Sequence, residues 1–312
     1  MLFKIQHITR YRYDRPVYES ANQIKIYPLT DGRQEIVKQE LNITGDQPIH
    51  VFTDYFGNTA GHFTLSEPHR ELAIDSKLVV RTILPPETAL DRSHPLEWEQ
   101  FAAAIRGDVR LLDLSKAELK AAKNDIQRAT DELMPLQDAP ARFVQRCSEF
   151  VYAHFTYQKG ITTVETTVAE IWTHRRGVCQ DFAHVLLEML RSAGIPSRYV
   201  SGYICPNSSG VRGAGATHAW VEAWLPTCGW VGIDPTNNCW VSDTHVALAT
   251  GRHFDDCSPV KGTFKGPANQ ELSIYVSVGF EDGRTFEDIN LVQLTKEPTK
   301  LAAVDMGAGQ QQ

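Results

Sequence analysis

The chain has 312 residues, enough for one large domain or two ordinary ones, and 42% of them are hydrophobic, which is typical of a globular protein with a buried core. Its 31 Lys and Arg residues against 38 Asp and Glu residues give a net charge of −7, and no basic cluster stands out. Neither a nucleic acid nor a membrane is therefore an expected partner. No apolar run approaches the roughly 18 residues of a membrane-spanning helix.

The N-terminus, from Met1 to His7, lacks a charged start followed by an apolar run, so no signal peptide is expected. The six cysteines are scattered and form no Cys-x-x-Cys pair, which favours reduced thiols over a disulfide framework. We therefore expect a cytoplasmic protein. The sequence leaves its oligomeric state open.

Residues 1–90 have the alternating pattern of β-strands. Alternation recurs in short runs at 3–13, 23–27, 34–43, 49–53, 60–65 and 71–80. Several short strands separated by turn residues predict an antiparallel β-sandwich. The segment Leu84-Pro85-Pro86 breaks the pattern and marks the expected domain boundary.

The rest of the chain mixes helical and strand patterns. Residues 91–139 predict a helical linker, residues 140–266 a second unit, residues 267–305 closing strands, and residues 306–312 a disordered tail. In the second unit, a helix beginning at Cys179 is followed by three strand-like runs, of which the last two form a hairpin. The expected fold class is α+β: an N-terminal antiparallel β-sandwich, then a core in which the Cys179 helix packs on an antiparallel sheet.

Cys179 is predicted to lie at a helix N-terminus. Its helix has an apolar face made of Phe182, Ala183, Leu186, Leu187 and Leu190. Unpaired N–H groups and the helix dipole at such a position favour an anion, and a thiolate is an anion. A nucleophilic thiolate is one interpretation. Buried free cysteines are also common packing residues, so position alone does not decide between the two.

His218 begins the first strand of the hairpin and Asp234 ends the second. Their even spacing places both on one face, where the imidazole can reach the carboxylate. If the Cys179 helix packs there, the three residues form a catalytic triad that acts through a thioester. His218 would accept the thiol proton and Asp234 would orient the imidazole. An oxyanion hole needs the Cys179 N–H and a second donor, for which we select Tyr157.

Each residue taken alone has another explanation. His218 could be a core histidine, and Asp234, which precedes Pro235, could be a turn former. A zinc site made of Cys179, His218 and Asp234 is disfavoured because the spacing matches no common zinc pattern. We expect neither a metal nor an organic cofactor. If Asp234 were not the third member, Asp255 or Asp256 would be considered next.

Four segments in combination resemble the transglutaminase-like superfamily of thiol enzymes. They are RGVCQDFA at 176–183, GIPSRYVSGY at 194–203, THAWVE at 217–222 and GWVGIDPT at 229–236. The front of the chain resembles the β-rich N-terminal region of the bacterial transglutaminase-like group. Segments 251–256 and 258–262 resemble the part that follows the core in that group.

The resemblance implies a papain-like α+β core, with Cys179, His218 and Asp234 in the triad roles, acting on amide bonds of a peptide or protein substrate. It leaves open whether the reaction is hydrolysis, as in a cysteine protease, or transamidation by a transglutaminase-type acyltransferase. The chain has no acidic loop resembling the calcium sites of animal transglutaminases, so calcium dependence is not implied. A non-catalytic peptide-binding scaffold is the alternative from another class, and the intact triad argues against it.

Overall fold

The computed structural model describes residues 1–84, 92–118, 122–134, 138–163, 166–205, 211–213, 217–280 and 283–294. The predicted tail at 306–312, the last of the predicted closing residues and the Pro-Pro pair of the predicted boundary lie outside these ranges. Within them, no helix combines the length and the apolar character needed to cross a membrane.

Over the described ranges, the chain forms three antiparallel sheets of four or five strands and a set of helices. Most of the helices lie between β6 and β9 in the sequence. The strands are β1 (Leu2–Val17), β2 (Glu19–Ile24), β3 (Gln34–Ile43), β4 (His50–Thr53), β5 (Thr59–Leu65), β6 (His69–Thr82), β7 (Thr156–Tyr157), β8 (Arg176–Gly177), β9 (Ser197–Ile204), β10 (Thr217–Leu225), β11 (Gly229–Asp234), β12 (Cys239–Trp240), β13 (His245–Gly251), β14 (Val260–Lys265), β15 (Gln270–Phe280) and β16 (Thr285–Leu294). The helices are α1 (Glu97–Gly107), α2 (Val109–Leu114), α3 (Lys123–Leu133), α4 (Pro140–His154), α5 (Val168–His174), α6 (Cys179–Ser192) and α7 (Phe254–Cys257).

Two sheets form the front sandwich. The front sheet has the order β16-β15-β1-β6-β3, and the second sheet has the order β14-β2-β5-β4. The alternation read from the sequence of β1 is present in the structure, since its odd-numbered side chains from Phe3 to Tyr13 face inward. Their shared core is lined by apolar side chains that include Val17, Ile24, Phe63, Leu72 and Ile74.

The last strands of the chain return to this sandwich. β14 pairs with β2, and β15 pairs with β1 along its length. The sandwich therefore contains residues from both ends of the chain. Pairing between strands more than 200 residues apart leaves no local pattern in the sequence, so the predicted segment 267–305 carried no indication of its partner.

A further antiparallel sheet, the core sheet, has the order β12-β11-β10-β9-β13. Helix α6 packs against it through the predicted apolar face, and Phe182, Leu186 and Leu190 are completely buried. Each such side chain contributes roughly 1.5–3 kcal/mol relative to an exposed position. This helix on an antiparallel sheet, preceded by a sandwich, confirms the predicted α+β fold class.

The front sandwich is docked to the core sheet in two ways. Apolar side chains at one end of β1, among them Phe3 and Ile5, pack on Tyr203 and Val246 of the core sheet. Two buried side-chain amides also bind the main chain of β13. Asn58 donates to Thr250 O and accepts from Thr250 N, both at 2.7 Å. Gln34 makes the equivalent pair of bonds with Ala247, at 2.8 and 2.9 Å.

Candidate active site

Cys179 is the first residue of α6. The first hydrogen bond of the helix runs from the Phe182 N–H to Val178 O at 3.1 Å, so the N–H groups of Cys179 and Gln180 precede the helical ladder. Such groups attract a negative charge. Cys179 is partly exposed and lines a cavity of about 930 Å³ that is also lined by His218.

The turn before Cys179 is held by Asp181. Its Oδ2 accepts the Val178 N–H and the Thr162 hydroxyl, both at 2.7 Å. Burial raises the pKa of Asp181 in spite of these donors. A Cβ on Gly177 would lie 2.4 Å from the same Oδ2, so only glycine allows the chain to pass so close. Asp181 thus positions the helix start that carries the thiol.

His218 and Asp234 meet as their spacing predicted. The register of the hairpin pairs Val221 with Ile233, which places the two residues one diagonal step apart on the same face. His218 Nε2 lies 2.8 Å from Asp234 Oδ2, and both side chains are completely inaccessible to solvent. The sheet therefore holds an imidazole and a carboxylate in contact beside the start of α6.

The two groups stabilise each other's charged forms. Burial alone would lower the pKa of His218, but the Asp234 carboxylate raises it well above the ordinary 6.5, and Cys179 adds to the rise. Burial alone would raise the pKa of Asp234, but His218 and then His245 hold it far below its usual range. The expected state at neutral pH is an imidazolium next to a carboxylate.

Asp234 has further donors that the sequence analysis did not select. Its Oδ1 accepts the N–H groups of Thr236 and Asn237, at 2.9 and 3.3 Å. The Asn237 amide also donates to Oδ2 at 2.8 Å, and His245 Nε2 lies 3.5 Å from the same oxygen. An Asn three residues after an Asp is a turn signal that would have indicated Asn237. No local signal points to His245, which comes from another strand.

Asn237 also anchors the segment that covers His218. Its Oδ1 accepts the Arg212 N–H at 2.8 Å, and the next residue is Gly213, with φ +77°. A Cβ on Gly213 would lie 2.9 Å from His218 Nδ1 and 3.9 Å from the Tyr157 hydroxyl. The backbone of Gly213 thus lies against the imidazole, close to the residue selected as oxyanion donor. Tyr157 itself is held on β7 by parallel pairing with Gly177, beside Cys179.

One group of side chains could hold a metal ion. Donor atoms of Asp234, Cys239 and His245 lie within 4.8 Å of one another, and among the described residues no other such group occurs. The set considered from the sequence, Cys179 with His218 and Asp234, is not such a group. Asp234 already accepts from His218 and Asn237, so a metal at this position would compete with the contact to His218.

Comparison with known proteins agrees with this architecture. A model of the transglutaminase-like superfamily matches residues 127–235, and a model of the bacterial transglutaminase-like N-terminal region matches residues 3–81. A crystal structure from Cytophaga hutchinsonii, of a candidate cysteine protease, superimposes with a TM-score of 0.67 at 19% identity, covering 96% of this chain and 93% of that one. At that identity the likeness shows the fold.

Two relatives illustrate how far the sequence similarity extends. An uncharacterized protein of Mycobacterium leprae is 31% identical over 278 residues, which cover 88% of this chain and 97% of that protein. A protein-glutamine gamma-glutamyltransferase of Pseudomonas aeruginosa is 32% identical over 118 residues, 34% of this chain and 17% of that protein. The chain therefore belongs to the transglutaminase-like superfamily, in the bacterial group that carries the β-rich N-terminal region.

Proposed function

We propose that the protein hydrolyses amide bonds of peptide or protein substrates through a thioester on Cys179. The observation that carries the proposal is the buried His218–Asp234 pair at 2.8 Å, whose imidazole lines the same cavity as a partly exposed cysteine at a helix N-terminus. In this arrangement His218 holds the thiol proton, Cys179 is the nucleophile and Asp234 orients the ring.

The reaction has two steps. The Cys179 sulfur bonds to the carbonyl carbon, and the amide C–N bond breaks as His218 gives its proton to the leaving amine. Water then attacks the thioester, His218 accepts one of its protons, and the C–S bond breaks to release the acid. The Cys179 N–H and the Tyr157 hydroxyl are the proposed donors to the negatively charged oxygen in each step.

Transamidation by the same three residues is the second candidate, because a relative that is 32% identical over 118 residues is named a protein-glutamine gamma-glutamyltransferase. The two reactions differ only in whether water or an amine attacks the thioester. Incubating a peptide substrate with a fluorescent primary amine separates them. Amine incorporated into the product would favour transamidation, and free acid alone would favour hydrolysis.

The test of the nucleophile is alkylation by iodoacetamide between pH 5 and 9, followed by peptide mass mapping. Wild type, His218→Ala and Cys228→Ala are compared, the last removing a partly buried thiol away from His218. We expect Cys179 to react rapidly at pH 6, and to lose that reactivity only in His218→Ala. A profile like that of an ordinary thiol, unchanged by His218→Ala, would favour a peptide-binding scaffold instead.

The cytoplasmic location stays a prediction. It is tested by fractionating cells that produce the protein and following it by immunoblot.

A further inference from the structure

The cavity beside Cys179 is walled by the front sandwich as well as by the core. The core contributes residues of α6, β9, β10 and α7, among them Cys179 and His218, and Ser258 and Pro259 follow α7. The remaining lining belongs to β1, β2, β5, β14 and β15. The front region therefore does more than support the core, because it forms a large part of the surface that a substrate at Cys179 would meet.

The roof of this cavity is a patch of paired side chains on the front sheet. Along β1 it is formed by Thr9, Tyr11 and Tyr13, and along β15 by Ile274, Leu272 and Gln270. The register places these directly opposite each other, as Thr9 with Ile274, Tyr11 with Leu272 and Tyr13 with Gln270. At about 3.4 Å per residue, the lining of β1 from His7 to Tyr13 extends for about 20 Å. This is the length of about six residues of an extended chain.

Away from the proposed Cys179–His218 pair, the lining carries few charged groups. Apart from its histidines, its acidic and basic side chains among the described residues are Asp255 and Lys261, which lie 3.7 Å apart and offset each other. His7 is 1% exposed, and burial lowers its pKa to about 4, so it is neutral at pH 7. A charged side chain bound against the roof would lose water without gaining a partner. Aliphatic and aromatic side chains would gain by burial there.

One side of the cavity is an edge strand. β14 is at the end of its sheet and pairs with β2 on one side. Five consecutive residues of β14, 260–264, line the cavity, so its main chain contributes to the wall along with one face of its side chains. An edge strand offers N–H and C=O groups to an added strand, which is a common mode of peptide binding.

We propose that this cavity binds the substrate as an extended peptide of about six residues, pairing with β14 and presenting uncharged aliphatic or aromatic side chains, at alternate positions, to the roof on β1 and β15. The proposal rests on the function proposed for Cys179 and names its substrate class. It also gives the front sandwich a role in specificity, with Leu272 and Tyr11 at the centre of the roof.

Binding is measured with the full-length Cys179→Ala protein, so that no turnover is needed. The probes are fluorescein-labelled octapeptides of alanine that carry Leu, Tyr, Lys or Glu at two alternate positions. Fluorescence anisotropy gives the dissociation constants. We expect the Leu and Tyr peptides to bind at least about tenfold more tightly than the Lys and Glu peptides. Methylating alternate amide nitrogens of the Leu peptide should weaken its binding by a similar factor.

The matched variants are Leu272→Glu and Ser273→Glu, made in the Cys179→Ala protein. They place the same charge on adjacent residues of β15, the first on the roof and the second on the opposite face, where Ser273 pairs with Arg10. Leu272→Glu should reverse the preference, so that the Lys peptide binds more tightly than the Leu peptide, whereas Ser273→Glu should leave the order unchanged. Leu272→Ala, which adds no charge, should weaken the Leu peptide while retaining the melting temperature.

Equal affinity for all four peptides, or the same change in both glutamate variants, would overturn the proposal. The outcome is separable from that for the proposed function. Selective peptide binding by a protein whose wild type hydrolyses no peptide would leave the cavity assignment intact and refute the hydrolase. Hydrolysis at the same rate for the Leu, Tyr, Lys and Glu peptides would support the hydrolase and refute the cavity assignment.

Discussion

His245 Nε2 lies 3.5 Å from Asp234 Oδ2, the same oxygen that contacts His218 Nε2 at 2.8 Å. The tautomer of His245 follows from its other nitrogen, since Nδ1 is positioned to accept the Ser242 N–H at 3.4 Å. A neutral ring then carries its proton on Nε2, directed at the carboxylate. Two imidazoles from different strands thus face one carboxylate oxygen, and both favour its ionised form.

Replacing His245 should impair the orientation of Asp234. In His245→Phe the ring that packs edge-on against Trp220, with centroids 5.3 Å apart, is kept while the N–H is lost. At 3.5 Å the contact is weaker than a full hydrogen bond to a charged group, which is worth about 1.5–3 kcal/mol, so we expect kcat to fall by about tenfold or less with little change in KM. His245→Gln, whose amide can donate, should recover part of the loss.

The matched control is His50→Phe on exposed β4. An unchanged kcat in His245→Phe would show that His245 does not position Asp234.

Asp234→Asn should change the pH dependence of turnover. The substitution removes the charge that raises the pKa of His218 and leaves burial, which lowers it. The imidazolium of the wild type is then lost at neutral pH, and the alkaline limb of the pH–rate profile shifts to lower pH. Turnover at pH 7 should fall by about 100-fold or more.

The control for this shift is Asp255→Asn. The carboxylate of Asp255 is largely exposed, and Asp255 is one of the two alternatives that the sequence offers for the third member of the triad. Because Asp255 lines the cavity, substrate affinity is not the readout for this control; the pH dependence of kcat should stay that of wild type. If Asp255→Asn abolished activity and Asp234→Asn did not, the third position of the triad would have to be reassigned.

Gly213→Ala should separate crowding at the site from backbone strain. The added Cβ would lie 2.9 Å from His218 Nδ1, closer than such atoms approach without displacement. Gly32 has nearly the same φ, +79° against +77°, but a Cβ there meets nothing within 4 Å. Both variants should lose about 1–2 kcal/mol of stability from the left-handed backbone, and only Gly213→Ala should slow alkylation of Cys179. Equal alkylation rates in the two variants would contradict the contact with His218.

The parts of the site that could be predicted are those encoded by local periodicity. The apolar face of α6 and the even spacing across the hairpin are short-range patterns. The spacing was sufficient to predict that His218 and Asp234 lie close together on one face of the sheet. His245 could not be found this way, because it begins β13, which pairs with β9 rather than with β11. Its approach to Asp234 depends on how distant strands are ordered in the sheet.

The same limit applies to the roof of the cavity. The alternation along β1 is visible in the sequence. The residue that pairs with Tyr11 across the sheet, however, is Leu272, some 260 residues later. A strand pattern predicts which face is apolar and carries no information about which strand lies beside it. For this reason a front sandwich was predicted, whereas its contribution to the cavity beside Cys179 was not.

Glu222 links the front region to the core, and its charge should make the fold sensitive to acid. Its carboxylate lies 2.6 Å from both Arg33 and Arg198, and its side chain is 1% exposed. Burial alone would raise the pKa of Glu222, but Arg198 and Arg33 lower it below the ordinary 4.5. A carboxylate whose pKa is lower in the folded state stabilises the fold above pH 4.5, and that contribution is lost as the pH falls further.

Glu222→Gln should therefore lower the free energy of unfolding by about 3 kcal/mol at pH 7, because the buried side of Arg198 loses its carboxylate and Arg33 keeps only Asp31. The difference from wild type should shrink as the pH drops below 4.5, because the unfolded chain then binds a proton at Glu222 that the folded protein takes up only at lower pH. Urea denaturation at a series of pH values measures both effects. The control is Glu35→Gln, which breaks the exposed pair with Arg81 and should cost less than about 1 kcal/mol. A difference for Glu222→Gln that stayed constant down to pH 3 would mean that its charge does not hold the two regions together.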